Sequence, residues 1–182
     1  EVKSYAERLF DYPAVGALSA SSAGEAIRLP IESAGESIDS EALRIIVDRT
    51  EGYPYFLQEW GSHTWSVADI SPITVAHVEA ASVSAIAALD RSFFRVRFDR
   101  LTPREQEYLR AMAELGHGPH RSGDIASELG IPVTSAGPLR TALIRKGMIW
   151  SPSHGDTAFT VPMFHEYMVR AMPVWNPGNS PL

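Results

Sequence analysis

The side chains best suited to chemistry lie in two short stretches of the second half of the chain. His117-Gly118-Pro119-His120 brings two imidazoles close together, the donor type that zinc favours. Gly and Pro set that pair in a loop, and a tetrahedral site needs further ligands that its surroundings do not offer. No metal site is expected there. Ser153-His154-Gly155-Asp156 places a hydroxyl, an imidazole and a carboxylate in a row. Nucleophilic catalysis needs those groups to converge from separate elements, and the strained Gly-x-Ser-x-Gly turn is missing. The stretch reads as a turn at the tip of a hairpin. Cys is absent, which removes thiolate nucleophiles, thiolate zinc sites and disulfides together. Phosphate chemistry needs a Gly-x-x-x-x-Gly-Lys loop followed by Ser or Thr, whose backbone N–H groups cradle the phosphates. Lys3 follows Val2 and Lys146 follows Arg145, so neither lysine belongs to such a loop, and no strand ends in acidic residues placed to hold magnesium. The sequence therefore predicts no catalytic residues and no complete catalytic machinery.

The elements that would position these groups divide the chain. At 182 residues and 45% hydrophobic content, it can bury one good core or two small ones, and two modest domains are expected. Ser4 to Phe10 reads as the end of a helix stopped by Tyr12-Pro13, followed by a short extended piece, Val15 to Leu18. Ser19, Ser21 and Ser22 are cap candidates for a helix interrupted at Pro30 and ended at Gly35. Asp39 or Ser40 caps the next, with Leu43, Ile46 and Val47 on one face. Gly52-Tyr53-Pro54 then precedes an aromatic helix through Phe56, Leu57, Trp60, Trp65 and Val67, whose aromatic residues read as core. Ile73 to Phe98 carries Val75, Val78, Ala85, Leu89, Phe93 and Val96 at three- and four-residue spacing, one long connecting helix. Its Arg91, Arg95, Arg97 and Arg100 read as a solvated basic face.

The second half opens on Thr102-Pro103-Arg104-Glu105, a capping box with Pro at the first helical position. A short helix, Asp124 to Gly130, is followed by a turn at Ile131-Pro132 and a helix from Ser135 to Lys146 with Pro138 in its first turn. Met148 to Ser151 and Ala158 to Val161 read as strands. Met163 to Met172 reads as a closing helix, and the Pro- and Gly-containing tail after it as disordered. Helix, short helix, turn, helix and hairpin in that order is the pattern of a winged helix-turn-helix. The fold class expected is mainly α, a helical bundle followed by that domain. Ile125, Leu129, Leu139 and Leu143 would pack its helices, leaving one outer side for a major groove. Thr134, Ser135, Arg140 and Thr141 are placed toward bases, Arg121, Arg145 and Lys146 toward phosphates, and His154 at the wing tip.

Charge tempers the nucleic-acid reading. The chain is at −6, yet from Thr102 to Met172 acidic and basic residues balance, so the acidic excess belongs to the first half and the second lacks the basic excess that steers a domain to DNA. The chain shows no bilayer-spanning apolar run, and its start resembles neither a signal nor a transit peptide, so a cytoplasmic setting without membrane contact is expected. It begins without Met inside a helix-like stretch, which reads as part of a longer protein.

Glu51-Gly52-Tyr53-Pro54-Tyr55-Phe56-Leu57-Gln58-Glu59, a Gly-x-Pro before an apolar helix, resembles the lid subdomain of AAA+ ATPases of the STAND and origin-recognition-like branch. Tyr5 to Phe10, Gly16-Ala17-Leu18-Ser19 and Ala26 to Pro30 resemble the passage from the nucleotide-binding core into that lid. The resemblance implies a lid-like subdomain over 1–72, of which 1–18 also fits a remnant of the nucleotide-binding core. A connecting helix over 73–101, a winged helix over 102–172 and a tail over 173–182 follow. It implies that Pro54, with Gly52 and Tyr53, leans on the adenine of ATP or ADP, with magnesium supplied in the parent protein and no cofactor expected for this chain alone. Tyr55 and Phe56 stand where many such lids carry a sensor arginine. Nucleotide state would then reposition the winged helix for duplex DNA, a protein partner or its own N-terminal ATPase domain. Two other readings stand beside it. One is a self-contained winged-helix transcription regulator, and the other a protein-interaction adaptor.

Overall fold

The computed structural model describes residues 16–177. The helix end over Ser4 to Phe10, its stop at Tyr12-Pro13, and the last five residues of the tail lie outside them. Within the described residues the protein is mainly helical, with one small antiparallel sheet, and no helix is long and apolar enough to cross a membrane.

The first helix, α1 (Ala20–Ser33), starts where the Ser19 hydroxyl accepts the Ser22 N–H. Ala23, Ile27 and Ile31 recur every four residues, share a face and are buried. The sequence predicts an interruption at Pro30, yet the helix runs on to Ser33. Pro30 sits near the C-terminal end on the exposed side, where its ring removes a single backbone bond. Next, α2 (Ser40–Thr50) buries Ala42, Ile46 and Thr50, and α3 (Pro54–Val67) opens with Pro at its first position. Phe56, Leu57 and Trp60 face inward, and the Trp60 indole N–H donates to Ser82 at 3.1 Å. Trp65, expected in the core beside Trp60, is 46% exposed instead. Five residues carry it roughly 140° around the helix from Trp60, onto the outer side.

The long periodic segment forms one rod in three parts. These are α4 (Val75–Leu89), a π-helical turn (Asp90–Phe94) and α5 (Arg95–Phe98). The wider turn rotates less per residue than an α turn, which brings adjacent side chains closer to one face, and Phe93 and Phe94 are both buried. Phe94 lies 5.5 Å from Phe56 of the first half and 5.2 Å from Tyr167 of the second, ring centre to ring centre. A single apolar cluster consequently runs from Ala23 to Met168. Arg97, read as part of a solvated face, instead covers the Phe93 ring at 3.5 Å and donates to the Phe93 carbonyl.

In the second half α6 (Pro103–Glu114) has the expected capping box, with Thr102 and Glu105 exchanging bonds. Then come β1 (His120–Arg121), α7 (Ser122–Glu128), α8 (Val133–Arg145), β2 (Ile149–Trp150), β3 (Asp156–Phe159) and α9 (Phe164–Ala171). The sheet order is β1-β3-β2, with His120 opposite Thr157 and Ile149 opposite Phe159. Strand β1 is absent from the sequence reading because two residues carry no periodicity. Helix α8 begins at Val133, so Pro138 lies inside it rather than in its first turn. Trp175, in the stretch read as a disordered tail, donates to Glu128 at 2.6 Å beneath the Arg110 guanidinium.

Candidate ligand cleft between the two halves

The turn joining α2 to α3 is built from two successive left-handed residues, Glu51 at φ 48° and Gly52 at φ 69°. Only glycine fits the second position. A Cβ there would lie 2.4 Å from the Leu18 carbonyl oxygen, and the same strip of chain is tied down by Leu18 N–H donating to the Gly52 carbonyl at 2.9 Å. Pro54, with φ already helical, then starts α3 at once. Gly52 is buried, while Tyr53 is half-buried and Pro54 exposed, so the three residues of this turn differ in role. Gly52 serves the backbone, and Tyr53 and Pro54 present their rings.

These rings face a cleft of about 730 Å³. One wall is Glu51, Tyr53, Pro54 and Tyr55; the other is the β2–β3 hairpin and the start of α9, including Trp150, Phe159, Thr160, Met163 and His165. A volume of this size, with apolar walls and a few polar groups, suits a small molecule. The Tyr53 and Tyr55 rings are fixed from behind. Tyr55 stacks on Phe93 at 5.3 Å, with its hydroxyl 3.3 Å from Ser92, and Tyr53 lies tilted against Phe56 and edge-on to Phe93. At the rim His117 reaches Glu51 at 3.3 Å and lies edge-on to His165, with 4.9 Å between ring centres. His165 in turn sits 2.8 Å from Glu166. His117 therefore bridges the two halves, while His120 turns away to the Gly116 carbonyl.

Backbone strain marks the same place. Among the described residues the non-glycine positions with positive φ are Glu51 and Met163, at 48° and 61°, and both line this cleft. Such conformations persist only where surrounding structure enforces them, and they concentrate at sites that bind or switch.

The residues expected to face DNA divide into exposed side chains and two that are engaged within the fold. Thr134, Ser135, Thr141 and Arg145 are exposed on α8, and Arg121 and His154 are exposed at β1 and the hairpin tip. Arg140 points to the hairpin, not outward. Its guanidinium donates to the Thr157 hydroxyl at 2.9 Å, to the Ser151 hydroxyl at 2.8 Å and to the Asp156 carbonyl at 3.0 Å. Arg140 follows buried Ala136 by four residues and precedes buried Leu143 by three, which puts it on the inner face of the helix. Lys146 is likewise engaged, donating to Glu105 at 2.7 Å and to the Arg100 carbonyl at 3.1 Å. Burial alone would raise the Glu105 carboxyl. The Lys146 ammonium and the Thr102 backbone and hydroxyl outweigh that and hold it below the usual carboxylate range.

No group of three or more His, Asp or Glu side chains placed to hold a metal occurs among the described residues.

A family described as a domain of unknown function, DUF8462, matches residues 91–168, which begin inside the π turn and run through the sheet into α9. No curated protein matches the chain at a significant level. Among solved structures, the Holliday junction branch migration motor RuvB of Thermotoga maritima is similar at 15% identity and a TM-score of 0.39, over 90% of this chain and 51% of that one. A mutant of the same protein gives 14% identity and the same coverage and score. The chain thus spans about half the length of the solved structures it matches.

Proposed function

We propose that this chain is the lid and winged-helix region of an AAA+ or STAND-type ATP-binding protein, and that its cleft receives the base of ATP or ADP. The observation that carries the reading is the Glu51–Pro54 turn. It is locked to Leu18, and it opens onto a cleft whose far wall belongs to the second half. A ligand there touches both halves, so occupancy favours one arrangement of α8 and the hairpin over others, which is the physical requirement for coupling. Phosphates and magnesium would be bound by an upstream nucleotide-binding core in the parent protein. The chain by itself should bind adenine nucleotide weakly and release no phosphate from ATP and magnesium. Calorimetric titration with ADP, together with a phosphate-release assay, tests this. Turnover above blank, or no nucleotide binding at millimolar concentration, would overturn it.

The order α6, β1, α7, α8, β2, β3 supports a winged helix-turn-helix over 102–172, and we infer that its outer face meets a protein rather than duplex DNA. Arg140 and Lys146 are engaged within the fold, while Val133 and Ile144 are exposed on α8. Of the cations expected to meet phosphates, Arg121 and Arg145 remain, too few to neutralise a run of them. Anisotropy of a labelled duplex should show only weak binding. Tight binding that falls steeply with salt and is lost in Arg121→Ala/Arg145→Ala would establish the DNA reading instead.

A further inference from the structure

Trp150 is 51% exposed, although its neighbour Ile149 is 1% exposed and anchors β2 to the core. Alternation along the strand explains the direction, since successive side chains leave on opposite faces. It does not explain why the solvent face carries the largest apolar side chain available. The indole is also held on a rigid base. Ile149 and Trp150 pair with β3 on one side, and Ser151 next along the chain is held by the Arg140 guanidinium, which ties the hairpin to α8. Trp150 lines the cleft from the hairpin side, and Tyr55, 40% exposed and backed by Phe93, lines it from the other.

Two aromatic groups from different halves lining one cleft, Trp150 from a backbone pinned in the hairpin and Tyr55 backed by Phe93, favour a planar ligand. An aliphatic chain would gain burial from such walls but not face-to-face stacking, and a sugar lacks an extended π face. The polar groups at the rim, Glu51, His117, His165 and Thr160, suit the donors and acceptors along the edge of a heteroaromatic ring. We propose that Trp150 stacks on the base of a bound purine nucleotide from the hairpin side, opposite Pro54 and Tyr55, and so acts as the contact through which the second half senses the ligand. This rests on the reading of the cleft as a nucleotide site. It adds to that reading a contact from the second half, Trp150.

The experiment is titration of the full chain with adenosine and, separately, with ATP, followed by calorimetry and by tryptophan fluorescence. Adenosine should bind nearly as well as ATP and quench the emission, because the base is the part held by this chain. Stacking on an aromatic side chain is worth enough that Trp150→Ala should weaken adenosine binding roughly ten- to a hundred-fold. Trp150→Phe should keep binding within a few-fold while losing the quench, which separates loss of stacking from loss of the hairpin. Equal binding by wild type and Trp150→Ala, with quenching retained, would overturn the role of Trp150 and leave the nucleotide reading intact. Binding of ATP but not adenosine would overturn recognition of the base. No binding of either by wild type would overturn both readings.

Discussion

Replacing Gly52 with alanine adds one carbon to a turn that has no room for it. The left-handed backbone alone costs an L-residue about 1–2 kcal/mol, and the added Cβ would also press on the Leu18 carbonyl, which must move. Gly52→Ala should therefore lose about 2–3 kcal/mol in urea denaturation and weaken nucleotide binding at the cleft. An unchanged midpoint would mean that Leu18 does not pack on this turn in solution. Arg140 tests the hairpin in the same way. Arg140→Ala removes a charged donor from three acceptors, one of them the buried Thr157 hydroxyl, and should cost about 2–3 kcal/mol. Arg145→Ala, exposed near the end of the same helix, should stay within about 0.5 kcal/mol. Equal losses in a thermal melt would show that the Arg140 contacts are not what joins hairpin to helix.

At the scale of elements, the start of α6 and the end of α8 are fastened by one carboxylate. Glu105 accepts from the Thr102 backbone and from Lys146, and its ionised form is favoured in the folded state. A carboxyl lowered by folding contributes stability that is fully present above its unfolded value of about 4.3 and is lost as pH falls through the lower folded value. Glu105→Gln should accordingly narrow the stability gap to wild type as pH is taken from about 6 toward 3, read from urea midpoints. A gap constant across that range would show that the Lys146 pair contributes nothing through charge. The capping box itself is legible from Thr102-Pro103-Arg104-Glu105, because a cap is decided by residues three apart. Lys146 is not, since its partner lies 41 residues away and nothing local announces it. The same division runs through the site. Gly52 and Pro54 are visible as turn residues, and the inner-facing Leu143 follows from helical period. The inward turn of Arg140, the two-residue strand β1 and the meeting of Trp150 and Tyr55 in one cleft depend on how the hairpin docks. Pro30 and Pro138 mislead for the opposite reason. Pro30 looks like a helix break and Pro138 like a first-turn residue by local rule, yet both lie inside helices whose buried faces outweigh one missing bond.

The whole molecule turns on the π segment, because it places Phe93 and Phe94 where the two halves meet. Phe94 is fully buried and touches Phe56 from α3 and Phe164 and Tyr167 from α9, while Arg170 of α9 clasps Asp90 of the π turn through two bonds of 2.7 and 2.9 Å. With the aromatic seam continuous across the connecting rod, neither half has a complete core without the other. The chain should unfold in one cooperative step, with amide exchange in α3 and in α6 reporting the same opening energy. Phe94→Ala removes the ring that bridges both halves and should cost about 3–5 kcal/mol. The loss should appear equally in the exchange of both elements. A control at the edge of the seam, Asp90→Asn, weakens only a partly exposed ion pair and should cost at most about 1 kcal/mol. If Phe94→Ala instead speeds exchange in α3 while α6 keeps its protection, the halves are separately folded. The cleft between them would then open by hinge motion at the π turn, without the tight coupling that a nucleotide-dependent movement of the hairpin requires.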